Sequence, residues 1–313
     1  MSDAAQQVRV STPGKLILSG EHAVVYGAPA LVTAISLRLR TRLERVEGTS
    51  VELHMAAIGH DSVVPTADVC AYARAQREAW QRFAADPSPE RFAELDDGEP
   101  ARLAMVALGE AIFALGDGDV PEGLRLTVES DLPVGSGFGS SAAAAVGIVS
   151  AVYSLAGIAP RWSEIGPVVA EVERRQHGSP SGVDAATVFH GGVLRAVPAG
   201  ESLRFDPLAA RADLLQAVRI LDTGRPAECT GEVVAAVAER RQESPEAFAG
   251  AFESMRRATG SLQAALTAAD SVAADLFEPL RSYQRIQVLV VAAVNHRQGR
   301  SRHQQVRQRR AVG

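Results

Sequence analysis

Lys15 is the only lysine in a chain of 313 residues whose Lys plus Arg total is 32. With arginine at every other basic position, residue 15 reads as a place where a compact ammonium with three rotatable donors is needed and a planar guanidinium does not serve. The bland alternative is a surface residue that has not drifted. A second group with chemical potential is Pro133-Val-Gly135-Ser136-Gly137-Phe138-Gly139-Ser140-Ser141-Ala142. Its alternating glycines reach backbone angles closed to other residues, so successive N–H groups can turn toward one anion, and a helix starting at the two serines would add its dipole. That arrangement suits a polyphosphate; a glycine turn packed closely on a helix is the competing reading. The Walker lysine is absent from the loop, and Ser140 stands where the dinucleotide fingerprint needs its third glycine. A third group is Glu173 and Asp184, eleven residues apart around a Gly-, Pro- and Ser-rich stretch. Loops on rigid scaffolds often carry chemistry, although by itself Glu173 is one of 37 acids and reads as a solvated helix charge.

The elements that must hold these groups are read from the apolar pattern. Leu124, Leu126 and Val128 alternate with Arg125, Thr127 and Glu129, a strand with one buried face that feeds the glycine loop through Pro133. Residues 142–149 hold only alanine, valine, isoleucine and one glycine, which predicts a buried helix with Ser140 and Ser141 in its first turn. Val8 to Leu18 reads as an opening β-hairpin, with a turn at Pro13-Gly14 and a second strand from Leu16. Residues 28–45 continue as a long alternating strand and 51–60 repeat the pattern more weakly. Helical spacing covers 71–92 and 100–115, with a polar loop at Asp86 to Pro89. Ser163 opens a helix that runs to about Gln176 and delivers Glu173 near its end, whereas His177 to Gly192 carries too much Gly, Pro and Ser for regular structure. Beyond it, Arg195 to Pro207 reads as irregular, Leu214 to Leu221 as a strand, and 232–240, 245–268 and 270–283 as helices.

Three stretches together resemble a known family. Pro13-Gly14-Lys15 with Gly20-Glu21-His22-Ala23-Val24-Val25-Tyr26-Gly27, and Pro133 to Ala142 with Phe138 where the family has leucine, resemble the first two motifs of the GHMP small-molecule kinases. Glu173-Arg-Arg-Gln-His-Gly-Ser-Pro-Ser-Gly-Val-Asp184 is similar to the corresponding segment of the mevalonate kinases in that family. The resemblance spans roughly residues 8 to 283. It implies an α+β, two-domain fold: a ribosomal-protein-S5-like N-terminal domain over 1–200, and a ferredoxin-like C-terminal domain over 201–294 that is incomplete. It also implies ATP- and Mg²⁺-dependent phosphorylation of the primary hydroxyl of mevalonate. Such a reaction leaves the protein mainly to position reactants and neutralise charge, so one carboxylate should hold the metal while another accepts the nucleophile's proton. Carried over residue by residue, Asp184 is the base and Lys15 stabilises the developing alkoxide. Ser141 and Glu173 hold Mg²⁺. Pro133, Gly135, Ser136, Gly137, Phe138, Gly139, Ser140, Ser141 and Ala142 cradle ATP. Glu21, His22 and Thr230 meet the substrate, with a helix N-cap as the plainer role for Thr230.

Composition narrows the rest. A hydrophobic content of 46%, 22% charged residues and a formal net charge of −5 are those of an ordinary globular protein and make no case for nucleic-acid binding. Without an apolar run of spanning length or a basic, apolar leader, the expectation is a cytoplasmic protein with a small-molecule partner and no membrane; a homodimer stays open. Cys70 and Cys229 lack ligand or disulfide spacing and read as thiols. The third motif of the family, a glycine-rich loop, is not found after residue 283, where Gly299 and Gly313 stand isolated. Residues 295–313 instead hold six arginines, two histidines and no acid, a basic tail that a shifted or shortened reading frame or a genuine extension would produce. Such a chain is expected to bind ATP weakly and turn over slowly or not at all. A sister GHMP kinase acting on a sugar, homoserine or phosphomevalonate, and a GHMP-fold protein that binds without catalysis, remain alternatives; an oxidoreductase fits poorly.

Overall fold

The computed structural model describes residues 6–86, 88–116, 123–177, 180–200, 202–220 and 230–287, with the backbone alone for Pro89 and for 230–236. Cys229 and the 295–313 tail therefore lie outside the described residues. The chain forms two compact units: the first takes Met1–Leu16, Thr33–Gly192 and Thr223–Arg225, the second Ile17–Val32, Val193–Asp222 and Pro226–Gly313. One cut near residue 200 does not describe this division, because the chain visits the second unit early, through 17–32, and returns to it at Val193.

In the first unit, β1 (Gln7–Ser19) runs unbroken through Pro13-Gly14, which corrects the hairpin read there. Gly14 answers a need for room: a Cβ on it would lie 2.3 Å from Leu132 Cδ2 and 2.9 Å from the Phe138 carbonyl oxygen. A glycine within a strand here marks a close approach of chain to chain, not a reversal. β2 (Ala30–Arg45) pairs with β1 and, antiparallel, with β5 (Leu124–Ser130), Leu39 facing Ser130 and Arg45 facing Leu124. The weak 51–60 pattern proves to be two antiparallel strands, β3 (Ser50–Met55) and β4 (His60–Pro65), turned at Ala56–Ile58. β3 lies parallel to β5, so the sheet order in this unit is β4-β3-β5-β2, with β1 on β2.

One face of that sheet is apolar by alternation and is covered by helices. Leu39, Leu43, Val51, Leu53, Leu124 and Leu126 are buried in one cluster with residues of α3 (Arg102–Leu115), α4 (Ser140–Leu155) and α5 (Trp162–His177). Each fully buried leucine on such a face contributes about 1.5–3 kcal/mol. α1 (Thr66–Ala85) and α2 (Pro89–Leu95) precede these helices and part at the polar stretch expected from Asp86 to Pro89, α2 starting behind a Ser88 cap that accepts from the Arg91 N–H. The stretch expected to be loop from His177 to Gly192 contains α6 (Val183–His190). Ala185, Ala186, Thr187 and Val188 bury its inner face, which outweighs the glycines that flank it on both sides.

The second unit corrects two further readings. In place of the irregular stretch expected from Arg195 to Pro207, β6 (Val193–Ala199) and β7 (Ser202–Pro207) pair antiparallel, with Pro198 opposite Leu203. Leu214 lies in a short helix, α7 (Ala212–Gln216), where it packs with Leu31, Leu262, Leu266 and Leu276; the apolar run there feeds a helical core contact, not a ladder. α8 (Thr230–Glu243) and α9 (Pro245–Thr267) follow. α9 buries Phe248, Phe252, Met255, Thr259, Leu262 and Leu266, a three-to-four residue spacing that makes one apolar stripe. A last helical stretch covers 277–287.

Candidate active site

The side chains with chemical potential in the first unit converge from β1, α4, α5 and α6. Lys15 leaves β1 beside the glycine loop, and its own N–H donates to the Phe138 carbonyl at 2.9 Å, which ties strand to loop. Gly135, Gly137 and Gly139 all take positive φ, at 80°, 80° and 74°. Gly139 has a second reason to be glycine: the lysine stem crosses it, and a Cβ there would lie 2.6 Å from Lys15 Cγ. Ser140 and Ser141 open α4, as the helix pattern predicts. Phe138 and Ala142 turn their side chains into the core, so what they offer toward the loop is backbone.

Lys15 is 6% exposed, and its Nζ lies 2.9 Å from Asp184 Oδ2. Asp184 occupies the first turn of α6 behind Gly182, whose φ of 77° turns the chain into the helix; a carboxylate is favoured at that helix end. Glu173, 5% exposed on α5, faces the same place. Burial, then the like charge of Asp184, pushes its carboxyl up to about 8, with Lys15 pulling the other way. Its Oε1 is buried without a hydrogen-bond partner. An orphaned carboxylate oxygen in that setting is costly unless a cation or donor meets it. His177 ends α5, with Nε2 3.2 Å from Ser141 Oγ and 4.0 Å from Glu173 Oε2. Burial holds its imidazole below the usual histidine range, against a raising contribution from Asp184. His177 was not among the residues assigned a role from sequence. Its signal is the four-residue step from Glu173, which puts both on one face of one helix.

These residues fit a small hard cation on one count. Glu173 Oε1 and the Ser141 hydroxyl are oxygen donors beside a loop suited to phosphate, and Mg²⁺ is commonly held by one or two carboxylates together with substrate phosphates. Among the described residues no group of three or more His, Cys, Asp or Glu could hold a metal by itself.

A second charged cluster sits in the same unit. Arg175 and Glu110 are 2% and 3% exposed and meet Nη2 to Oε1 at 3.4 Å. Glu110 Oε2 also accepts from Arg77 Nη2 at 2.5 Å, and Arg175 Nη1 donates to Glu171. Trp80 receives Arg174 and Arg175 over its ring face, at 5.7 and 5.6 Å.

Glu21 and His22 belong to the second unit. Thr230 is the first residue of α8, and its side chain lies outside the described residues. Cys70 is in no disulfide, and no described helix is long and apolar enough to cross a membrane.

Comparison with known proteins places this geometry in context. The model of the GHMP kinases N terminal domain matches residues 102–192. The mevalonate kinase of Pyrococcus furiosus is 30% identical over 250 residues, 80% of this chain and 67% of the relative. That of Pyrococcus horikoshii is 30% identical over 248 residues, 79% of this chain and 66% of the relative. The chain thus spans about two thirds of the length of these curated relatives. In fold it is similar to the Methanococcus jannaschii mevalonate kinase, with a TM-score of 0.67 at 18% identity over 91% of this chain and 79% of that one.

Proposed function

We propose that this chain, which belongs to the GHMP kinase family, transfers the γ-phosphoryl group of ATP to the primary hydroxyl of mevalonate. The observation that carries the reading is the ion pair between the buried Lys15 and the half-exposed Asp184 at 2.9 Å, set beside a glycine loop that Lys15 itself contacts. The mevalonate kinase relatives support the acceptor over other small alcohols.

Asp184 Oδ2 takes the proton of the acceptor hydroxyl, and Lys15 Nζ offsets the negative charge that grows on that oxygen. Proton and charge are handled by two groups already in contact, so neither has to be recruited during the reaction. The N–H groups of 135–141 and the α4 N-terminus hold the phosphates. Glu173 and Ser141 would hold Mg²⁺, which when bound neutralises phosphate charge. His177 fixes the Ser141 hydroxyl by its 3.2 Å contact. Glu21, His22 and Thr230 are assigned to acceptor recognition.

A second reading, binding without turnover, draws on one sequence observation: between residues 284 and 313 the only glycines are Gly299 and Gly313. One assay separates the two. ADP release is measured with mevalonate, phosphomevalonate, homoserine and galactose in turn. Mevalonate-dependent release at least ten times that of the other acceptors upholds the proposal. Nucleotide binding with no acceptor-dependent release moves the chain to the second reading.

A further inference from the structure

His22 is the one described non-glycine residue with positive φ, at φ 61° and ψ −46°. The Ala23 N–H donates to the Glu21 carbonyl at 2.7 Å, which closes a three-residue ring around His22. That is a γ-turn of the positive-φ form, the rarer and more strained of the two. A β-carbon makes this conformation unfavourable, so it persists only where neighbouring contacts over-determine it, and such sites concentrate at ligand-binding positions.

Two residues of the 277–287 helix supply those contacts. Tyr283 Oη donates to the same Glu21 carbonyl at 3.1 Å, and Gln287 Nε2 donates to Glu21 Oε2 at 2.6 Å. They stand four apart and so share one helix face. Glu21 is therefore gripped at its backbone and at its carboxylate by one face of one helix. The Tyr283 ring is itself fixed, packed with Ala23, Phe252 and Met255, so its hydroxyl is presented from a rigid base. Burial also holds the His22 imidazole below the usual histidine range, with Glu21 acting the other way, which keeps a neutral ring at the strained position. No sequence motif marks either helix residue; the Glu-His pair and its clamp are more than 260 positions apart, as the separation of 262 for Tyr283 shows.

We infer that Tyr283 and Gln287 are positioning residues for acceptor recognition: by gripping Glu21 they hold the γ-turn that aims His22, so the C-terminal helix sets how tightly the acceptor alcohol is bound. The inference rests on the reading of Glu21 and His22 as substrate-facing given above.

The test uses the full chain with Tyr283→Phe, Gln287→Leu and Gln287→Lys. The first removes the donated hydrogen bond and keeps the ring. The second removes the donor at similar size, and the third restores a donor toward Glu21. Tyr283→Phe and Gln287→Leu are expected to raise the mevalonate KM five- to tenfold. Their kcat and ATP KM should stay within twofold of the parent and their melting temperature within two or three degrees. Gln287→Lys is expected to return the mevalonate KM to within about twofold. Amide hydrogen exchange over 19–26 should accelerate at least threefold in the first two variants and not in the third. A mevalonate KM within twofold of the parent in both, or an ATP KM that rises in parallel, overturns the inference. If the parent neither phosphorylates nor binds mevalonate, the functional reading falls separately. Exchange over 19–26 then decides the clamp by itself: faster exchange upholds it and unchanged exchange removes it.

Discussion

Two residues apart on α5, Glu173 and Arg175 are buried to a similar depth and treated in opposite ways. Arg175 has both Nη atoms engaged, by Glu110 and Glu171, and Glu110 is met in turn by Arg77; only the Arg175 Nε lacks an acceptor. Glu173 has an Oε1 with no partner and a carboxyl pushed up to about 8 by burial and by Asp184. A buried ion pair is weak grounds for inferring function, since scaffolds use them routinely and removing one partner costs far more than the pair contributes. A buried carboxylate with an idle oxygen beside a lysine is a different object, because the fold carries its cost without a local return. Charge burial alone therefore does not mark a site; what sets Glu173 apart is a raised carboxyl with an unpartnered oxygen next to Asp184 and Lys15.

The comparison breaks most visibly at Asp184, the proton acceptor of the proposed reaction. Asp184→Asn is expected to lower kcat about a thousandfold, at the scale of general-base catalysis, with ATP affinity within about threefold of the parent. Stopped-flow turnover and equilibrium nucleotide titration measure the two; retention of a tenth of the parental kcat would take Asp184 out of the base role. Lys15→Arg keeps the charge but places a planar fork where the stem crosses Gly139, and a loss of about a hundredfold in kcat is expected. Near-normal turnover would make the solitary lysine an accident of composition.

Glu173→Gln sharpens the contrast through metal and pH. The Mg²⁺ concentration for half-maximal activity should rise about ten- to hundredfold, the usual scale for losing a contact at a metal. In metal-free buffer the same variant should melt higher than the parent. The Glu173 carboxyl moves from 4.5 to about 8 on folding, so the folded state binds its proton more tightly than the unfolded one. The corresponding stability is whole below about pH 4.5 and is lost as pH rises to about 8. The melting margin should widen from pH 5 to pH 8 and then level off; identical pH profiles would falsify the buried, unpaired reading. Arg175→Met tests the other side. It leaves Glu110 with a single cation, and stability should fall by about 3 kcal/mol in urea titration while kcat per folded molecule changes less than about threefold.

What the sequence made legible follows the same division. Backbone geometry was readable: alternating glycines before a run of alanine and valine do become three positive-φ residues ahead of α4, and the 3.6-residue pattern carries Glu173 to the end of α5. Lys15 and Asp184, named from the resemblance to the GHMP kinases, are brought into contact by the fold. What failed depended on partners distant in sequence. Gly14 suggests a turn until Leu132 and Phe138 arrive beside it. Residues 183–190 suggest a loop until their alanines and valines find a buried face. Leu214 suggests a strand until Leu262 and Leu266 of α9 receive it. Tyr283 and Gln287 touch Glu21 through contacts that no local pattern encodes, and His177 has for its signal only the four-residue step from Glu173.

The crossing of Lys15 over Gly139 has a consequence for motion. Stem and loop share one van der Waals surface with no room for a methyl group between them, and the Lys15 N–H anchors the same loop one residue earlier. Close-packed surfaces do not slide past one another by small increments. A displacement of the glycine loop is therefore also a displacement of the lysine, and with it of the ammonium resting on Asp184. The glycine loop and the Lys15–Asp184 pair form one mechanical part, so in the reaction proposed above phosphate binding at the loop would bear directly on the alignment of the pair.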